Sequence, residues 1–239
     1  MNLLKLLKRA AKTGEIDEFD YFAAKNGPTN PLKLIITKGK DVNVKGKKGE
    51  TALHWSVSEG YDGISRLLIE HGADISAMDN NEATPLHWAE KCNDTSVGLL
   101  IANGANVNQE DRFGVTPLHS AVSRGLINVA ESLLAHGANV NVKDKNGEMP
   151  LHSASWRGFE ALVQLLINHG ADINAVDGGG RTPLHWASRV GAKPCVNILI
   201  ASGANVNAED AIGKTPLSIV MENDNSEIAD LLRRNGARH

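Results

Sequence analysis

Five of the nine histidines recur at nearly constant spacing, and they are the side chains most suited to metal chemistry. They are His54, His87, His119, His152 and His185. Imidazole is a common zinc ligand, but the ligands of one zinc ion all lie about 2 Å from the metal. Equivalent residues on packed helices are separated by about 8–10 Å. If each histidine belongs to one unit of a packed repeat, we expect no metal site and expect these imidazoles to hydrogen-bond to turn backbones.

Sequence motifs for catalysis are also missing. The chain has no G-x-S-x-G, no phosphate-binding G-x-x-x-x-G-K-[ST] and no C-x-x-C pair. The glycines 178–180 precede Arg181 and Thr182 in a stretch typical of a turn. Cys92 and Cys195 stand far apart, which favours free thiols in a reducing compartment. We therefore expect a protein that is not an enzyme and has no cofactor.

The row of histidines is part of a longer repeated phrase. The chain contains TALHWSV, TPLHWAE, TPLHSAV, MPLHSAS, TPLHWAS and TPLSIVM in one register, and their first residues fall at 51, 84, 116, 149, 182 and 215. A second register of glycines, at 39, 72, 104, 137, 170, 203 and 236, keeps the same period. Two registers with one period predict an array of similar structural units.

Each unit reads as two short antiparallel helices followed by a turn. Thr182 supplies an N-cap and Pro183 suits the first helical position, so a helix is expected to begin at each TPLH. A glycine such as Gly158 or Gly191 then breaks it. Apolar residues recur at helical spacing in the following segment, as in ALVQLLINHG. The Gly-, Asn- and Asp-rich stretch that comes next indicates a turn.

The pattern D-x-x-G-x-T-P-L-H, then Gly, then L-L-x-x-G-A-[DN]-[VI]-N resembles the ankyrin repeat. The resemblance implies an all-α solenoid of stacked antiparallel helix pairs with projecting β-hairpin or turn loops. Its expected units are a modified N-terminal capping repeat with an extra helix over 1–45, repeats over 46–78, 79–110, 111–143, 144–176 and 177–209, and a C-terminal capping repeat over 210–239. A leucine stands eight residues before each of Asn108, Asn141, Asn174 and Asn207, a pattern that resembles substrates of asparaginyl hydroxylases, although the same asparagines are expected simply to close turns.

Composition and charge indicate which kinds of partner and which cellular compartment to expect. The formal net charge is −3, but residues 1–50 hold 11 Lys or Arg against 6 Asp or Glu, whereas the remainder holds 14 against 22. The acidic remainder argues against nucleic-acid binding. No apolar run is long enough to span a membrane, and the basic, leucine-rich beginning is expected to form a capping helix. A monomer in the cytoplasm or nucleus, either of the source or of a host cell, is expected.

The resemblance implies that a partner protein binds through turn tips and the surface of each first helix, the concave side of the array. The residues that stand out in those slots are large aromatics, arginines and one valine, because exposed aromatics and arginines are common at interfaces. The candidates are Arg112, Phe113, Val115, Arg124, Trp156, Arg157, Arg181, Arg189 and Trp88. For Trp55, Trp88 and Trp186, partial burial against the neighbouring helix is the favoured interpretation, and direct contact with the partner is the alternative.

These residues predict a noncatalytic scaffold or adaptor that binds a protein. The arginines suggest a partner segment carrying carboxylates or phosphorylated side chains, which a guanidinium holds in a fork. A regulatory or inhibitory subunit, or a host-directed effector acting through a partner enzyme, remains the alternative. A nucleic-acid binder is the less favoured third class.

Overall fold

The computed structural model of the chain describes residues 41–89 and 94–238. The extra helix predicted within residues 1–45, and Cys92, lie outside the described residues. The chain divides into two compact units, residues 1–112 and residues 113–239, and each is described by itself.

The described part of the first unit contains three α-helices and one 3-10 helix. They are α1 (Ala52–Ser58), α2 (Asp62–Glu70), η1 (Pro85–Trp88) and α3 (Asp94–Ala102). Helix α1 packs against both α2 and η1, and α2 packs against α3. The phrase at Thr84 predicts an α-helix, but the structure has a single 3-10 turn there, because Ala89 leaves helical geometry with ψ 88°.

The second unit consists of four helix pairs. Their first helices are α4 (Pro117–Ser123), α6 (Pro150–Arg157), α8 (Pro183–Val190) and α10 (Pro216–Glu222). Their second helices are α5 (Ile127–Ala135), α7 (Glu160–Asn168), α9 (Lys193–Ala201) and α11 (Ser226–Arg234). Neighbouring first helices pack side by side in one layer, and α5, α7 and α9 pack in the same order in a second layer.

The helix ends follow the residues that the repeated phrase supplies. Thr182 precedes α8 in an extended conformation and Pro183 occupies the first turn. The backbone N–H of Thr182 donates to Nδ1 of His185 at 3.1 Å, which closes the turn from the side chain. Gly191 ends α8 in the left-handed region with φ 75°. The helix starts and ends predicted for this unit are therefore confirmed.

The turns between pairs are joined to one another by backbone hydrogen bonds. In the second unit, Gly178 N–H donates to the Asn146 carbonyl at 2.8 Å and Ala211 N–H donates to the Gly179 carbonyl at 2.9 Å. A Cβ added at Gly178 would lie 2.7 Å from the Asn146 oxygen, so the turns approach more closely than a side chain there allows. No strand occurs in the residues that the structure describes.

The core of each unit is made of leucines and small residues at the repeated positions. Leu118, Leu151, Leu184 and Leu217 from first helices, and Leu133, Leu166, Leu199 and Leu232 from second helices, are almost completely buried. Burial of a leucine side chain contributes about 1.5–3 kcal/mol each. The all-α class of paired, stacked helices predicted from the sequence is confirmed.

The repeated asparagines link the turn after each second helix to the turn of the following repeat. Asn174 Nδ2 donates to the carbonyl of Gly203 at 3.3 Å, while its Oδ1 accepts from Asn205 N–H at 2.7 Å. Asn141 and Asn207 make the same pair of bonds to the following repeat. These contacts give the asparagines a structural role in joining repeats.

Candidate protein-binding surface

The repeated histidines are buried and bind backbone carbonyl groups of the next repeat. His152 Nε2 lies 3.1 Å from the Arg181 carbonyl oxygen, and His185 Nε2 lies 3.0 Å from that of Lys214. Because Nδ1 accepts a backbone N–H, the proton of the neutral ring is on Nε2, which donates. His54 and His119 are bound in the same way. The predicted hydrogen bonds to turn backbones are confirmed for these four residues.

Burial also keeps these imidazoles neutral. It lowers the pKa of His54, His152 and His185 below the ordinary value of 6.5, against the opposing effect of nearby carbonyls and carboxylates. In the parts of the chain that the structure describes, no group of three His, Cys, Asp or Glu side chains is placed to hold a metal ion. Four of the five repeated histidines, His54, His119, His152 and His185, thus use their imidazoles in joining repeats.

The single described cysteine is similarly inaccessible. Cys195 on α9 is completely buried. Desolvation raises the pKa of its thiol to about 11. A thiol with such a pKa holds its proton at neutral pH and is a poor nucleophile.

A cluster around Trp186 forms the centre of the candidate surface. The indole N–H of Trp186 donates to Asp177 Oδ2 at 3.0 Å, and Arg181 Nε donates to the same oxygen at 3.0 Å. The Arg181 guanidinium lies over the Trp186 ring, 4.1 Å from its centroid. Asp177 thereby fixes both the ring and the cation that covers one of its faces.

The carboxylate that holds this cluster is itself well stabilised. Burial alone raises the pKa of Asp177, but hydrogen bonds from the backbone amides of Arg181 and Gly179 and from the Trp186 indole lower it further than burial raises it. Asp177 is therefore ionised at neutral pH. The cluster contributes no net charge, because the Asp177 carboxylate balances the Arg181 guanidinium.

Trp156 lies beside this cluster and is the largest exposed side chain near it. Its ring meets that of Trp186 edge to face, with centroids 5.0 Å apart. It remains 42% exposed, and the Arg189 guanidinium lies 5.9 Å from the Trp186 centroid. Trp156, Arg181 and Arg189 are three of the residues predicted to bind a partner, and the structure brings them together.

These residues line a cleft of about 290 Å³ between α6 and α8, which we call the α6–α8 cleft. Its lining includes Glu148, His152, Trp156, Arg181, Trp186 and Arg189. A second cleft of about 260 Å³, the α8–α10 cleft, is lined by the same Arg181, Trp186 and Arg189 together with residues such as Ile212 and Lys214. The Trp186 cluster is therefore a wall shared by two adjacent clefts.

Three polar groups of the α6–α8 cleft have no partner among the described residues. Within residues 41–89 and 94–238, no group donates a hydrogen bond to the Glu148 carboxylate or forms an ion pair with it, and no carboxylate pairs with Arg189. The indole N–H of Trp156 likewise has no acceptor within the described parts of the chain. The cleft can therefore offer one anionic acceptor, one cationic donor and one neutral donor to a ligand.

The other predicted residues of the second unit lie elsewhere. Phe113 is 48% exposed in the turn before α4, and Val115 beside it is half-buried. Arg124 ends α4 and Arg157 ends α6, both exposed. None of these four lines either cleft. The two clefts centre on Trp186, with Trp156 lining the first, whereas Phe113 lines neither of them, and its role in binding a partner stays a prediction.

Two predicted residues belong to the first unit. Arg112 is exposed, and its Nη1 donates to the Asn80 carbonyl at 3.2 Å. Trp88 is half-buried, its indole N–H donates to Asp79 Oδ2 at 3.1 Å, and its ring meets His54 edge to face with centroids 5.4 Å apart. The predicted partial burial of Trp55, Trp88 and Trp186 is confirmed.

Sequence reasoning missed Trp186 and Glu148 as cleft residues. A signal for Trp186 was present: an aspartate stands nine residues before it, as Asp79 stands before Trp88, and this spacing reaches the indole in both cases. The signal for Glu148 was its slot, since Arg181 and Lys214 occupy the equivalent positions before the helix cap. The sequence shows that the residue in this slot is charged, but it does not show whether a residue of opposite charge binds it.

Comparison with known protein families agrees with the repeated helix pairs. A family model described as ankyrin repeats (3 copies) matches residues 21–111, 90–177 and 162–239. The chain belongs to the ankyrin-repeat family, whose members are generally protein-interaction modules. No curated protein sequence matches the chain. Among the described residues, no helix has both the length and the apolar character needed to cross a bilayer.

Proposed function

We propose that the chain is a noncatalytic scaffold or adaptor that binds a partner protein through the α6–α8 and α8–α10 clefts. The observation that carries the proposal is Trp156, which is 42% exposed while packed on a Trp186 ring that Asp177 and Arg181 hold in place. An exposed tryptophan beside a rigid aromatic and two arginines has the composition of an interface hot spot. Preorganisation of the ring lowers the entropy lost on binding.

The packing of the repeat does not explain why a tryptophan stands at position 156. The slot of Trp156 is filled by Arg189 in the next repeat and by Glu222 in the last, and all three residues are exposed. The repeat therefore does not need an aromatic side chain at this position for packing. A large exposed apolar surface favours association in water, which supports contact with a partner.

The partner segment is proposed to carry an acidic or phosphorylated side chain. Arg189 is exposed and has no carboxylate partner in the part of the chain that the structure describes, and its guanidinium is suited to a fork-like contact with a carboxylate or phosphate. The chain would act as a monomer in the cytoplasm or nucleus. A regulatory subunit or effector would use the same clefts, with the activity residing in its partner.

The test is differential capture from a lysate after cross-linking, with mass spectrometry of the captured proteins. Wild type is compared with Trp156→Ala and with Ile127→Ala, which removes a 39% exposed apolar side chain from the second helix α5, outside both clefts. We expect a protein that wild type and Ile127→Ala capture and Trp156→Ala loses. Equal capture by all three proteins would place the binding surface elsewhere.

A further inference from the structure

We infer that the partner segment bound in the α6–α8 cleft carries a basic side chain, lysine or arginine, which lies along Trp156 and donates to Glu148 beside the acidic group held by Arg189. This inference rests on the proposed function. It narrows the partner from an acidic segment to a segment of mixed charge.

The unpaired carboxylate of Glu148 is the first observation. Glu148 is half-buried in the cleft lining, and no described residue donates a hydrogen bond to its side chain. Burial raises the pKa of Glu148, and the carboxylates of Asp144 and Asp177 raise it further. The Arg181 guanidinium, which is paired with Asp177, lowers the pKa of Glu148 by less than these effects raise it. A partly desolvated carboxylate without a donor is costly, and a cationic donor from a partner removes that cost.

In the next two repeats, the residue in the slot equivalent to Glu148 forms an ion pair, which Glu148 lacks among the described residues. Arg181 occupies this slot and pairs with Asp177 at 3.0 Å. Lys214 occupies it in the last repeat and pairs with Glu222 at 2.6 Å. Glu148 is the one charged residue in this slot of the second unit that has no opposite charge bound to it within the described residues.

The charges of the cleft are the second observation. The Arg181 guanidinium pairs with Asp177 and covers one face of Trp186. A cation of the partner therefore cannot use the Asp177 carboxylate or that face of the Trp186 ring. Arg189 and Glu148 remain, one positive and one negative. A purely acidic segment would satisfy Arg189 but would leave Glu148 unpaired and repelled. A mixed-charge segment satisfies both groups.

Trp156 supplies the surface that the basic side chain needs. Its ring is half-exposed in the same cleft as Glu148. Lysine and arginine have apolar stems that pack on aromatic rings while the charged end reaches a polar group. In an extended segment, residues i and i+2 point to the same side about 7 Å apart, so the basic and acidic side chains are expected within a few positions of each other.

The experiment uses a synthetic array of nine-residue peptides in a Gly, Ser and Leu background. It contains peptides with one lysine and one glutamate separated by up to four positions, and matched peptides with norleucine for lysine, glutamine for glutamate, or phosphoserine for glutamate. The full chain is applied as wild type, Glu148→Gln and Arg189→Gln. Glu209→Gln is the matched control, because Glu209 is exposed and lines neither cleft.

Wild type and Glu209→Gln are expected to prefer lysine over norleucine by about tenfold when the acidic residue is present. Glu148→Gln should lose that preference and keep the preference for glutamate or phosphoserine over glutamine. Arg189→Gln should show the reverse. The phosphoserine peptides report which acidic group Arg189 prefers, and the lysine preference is expected with either.

The inference is overturned if wild type binds acid-only peptides as well as mixed-charge ones, if no peptide preference depends on Glu148, or if the array shows no binding. Failure of the proposed function has a different signature, namely a partner whose capture is unaffected by Trp156→Ala. Loss of capture by Trp156→Ala together with an unchanged lysine preference in Glu148→Gln would remove the inference alone.

Discussion

Asp177 shows how one carboxylate can hold both an aromatic ring and a cation for binding. It accepts hydrogen bonds from the Trp186 indole and from Arg181 Nε, as well as from the backbone of its own turn. Asp79 holds the Trp88 indole in the same way. Asp144 occupies the same turn position but faces no tryptophan, because Ser153 stands in the equivalent slot.

This difference allows a matched test at the residue scale. Asp177→Asn keeps an oxygen for the backbone amides but loses the charge shared by Trp186 and Arg181. Asp144→Asn loses only the charge of the turn. We expect Asp177→Asn to lower the free energy of unfolding by about 1–2 kcal/mol more than Asp144→Asn, because charge-assisted hydrogen bonds to a buried residue are lost. Urea-induced unfolding of both variants measures the difference, and equal losses would mean that the cluster contributes nothing to stability.

Single residues also show how far the sequence could predict which side chains line the two clefts. Trp156 and Arg189 were identified because an aromatic or arginine in an exposed slot is visible in the repeat register. Phe113 was chosen on the same ground, yet it lines neither cleft. The register predicts which residues are exposed, whereas the cleft depends on side-chain directions across two repeats, which the register does not contain.

At the scale of elements, the repeated phrase determines where a helix begins, and the residues after it determine where the helix ends. The phrases at Thr84 and Thr182 are nearly identical, but η1 is one 3-10 turn and α8 is a full helix. Gly191 follows α8 in the left-handed region, while the corresponding repeat of the first unit has Asn93 and a connection one residue shorter. Sequence identity over the six residues T-P-L-H-W-A was therefore not sufficient to predict the element.

In one described turn, a residue with a Cβ occupies a backbone position that favours glycine. Glu82 has φ 64°, in the slot where the other described turns have glycine, such as Gly147 with φ 76°. Left-handed geometry is costly for a residue with a Cβ. We expect Glu82→Gly to raise the free energy of unfolding by about 1 kcal/mol, measured by thermal or urea unfolding.

Glu82→Ala is the control for that substitution, because it removes the charge and keeps the Cβ. It should leave stability nearly unchanged or lower it slightly. If Glu82→Ala stabilises the protein as much as Glu82→Gly does, the effect comes from the side chain's charge, and the backbone at Glu82 is not strained.

At the scale of the whole molecule, most of the fold was predictable because every repeat meets similar neighbours. A local pattern repeated at a fixed period then specifies the packing of the leucines and the hydrogen bonds of the histidines. The two clefts depend on combinations that occur once, such as Trp156 beside Trp186 and Glu148 beside Arg181. Those combinations require the geometry of specific neighbouring repeats.

The buried histidines together predict that stability depends on pH. Burial lowers the pKa of His54, His152 and His185 from 6.5, so the unfolded chain takes up protons at a higher pH than the folded chain does. Their stabilising contribution is therefore fully present above about pH 6.5 and is lost as the pH falls from there through the lowered pKa values. We expect the midpoint of thermal unfolding to be lower at pH 5.5 than at pH 7.5.

A variant separates the histidines from other titrating groups. The raised pKa of Glu148 acts in the opposite direction, since protonation of that carboxyl favours the folded state. His185→Gln should lower stability at pH 7.5 and reduce the difference between the two pH values. An unchanged pH dependence in this variant would show that His185 does not carry the effect.

The most direct measurement of the central claim is the affinity of the captured partner for wild type, Trp156→Ala and Ile127→Ala by isothermal titration calorimetry, with the melting temperature of each. We expect Trp156→Ala to weaken binding by about 2 kcal/mol or more, roughly 30-fold, with a melting temperature close to that of wild type. Ile127→Ala should bind as wild type does. A Trp156→Ala variant that melts at a much lower temperature and binds with unchanged affinity would assign Trp156 to the core and contradict the proposed surface.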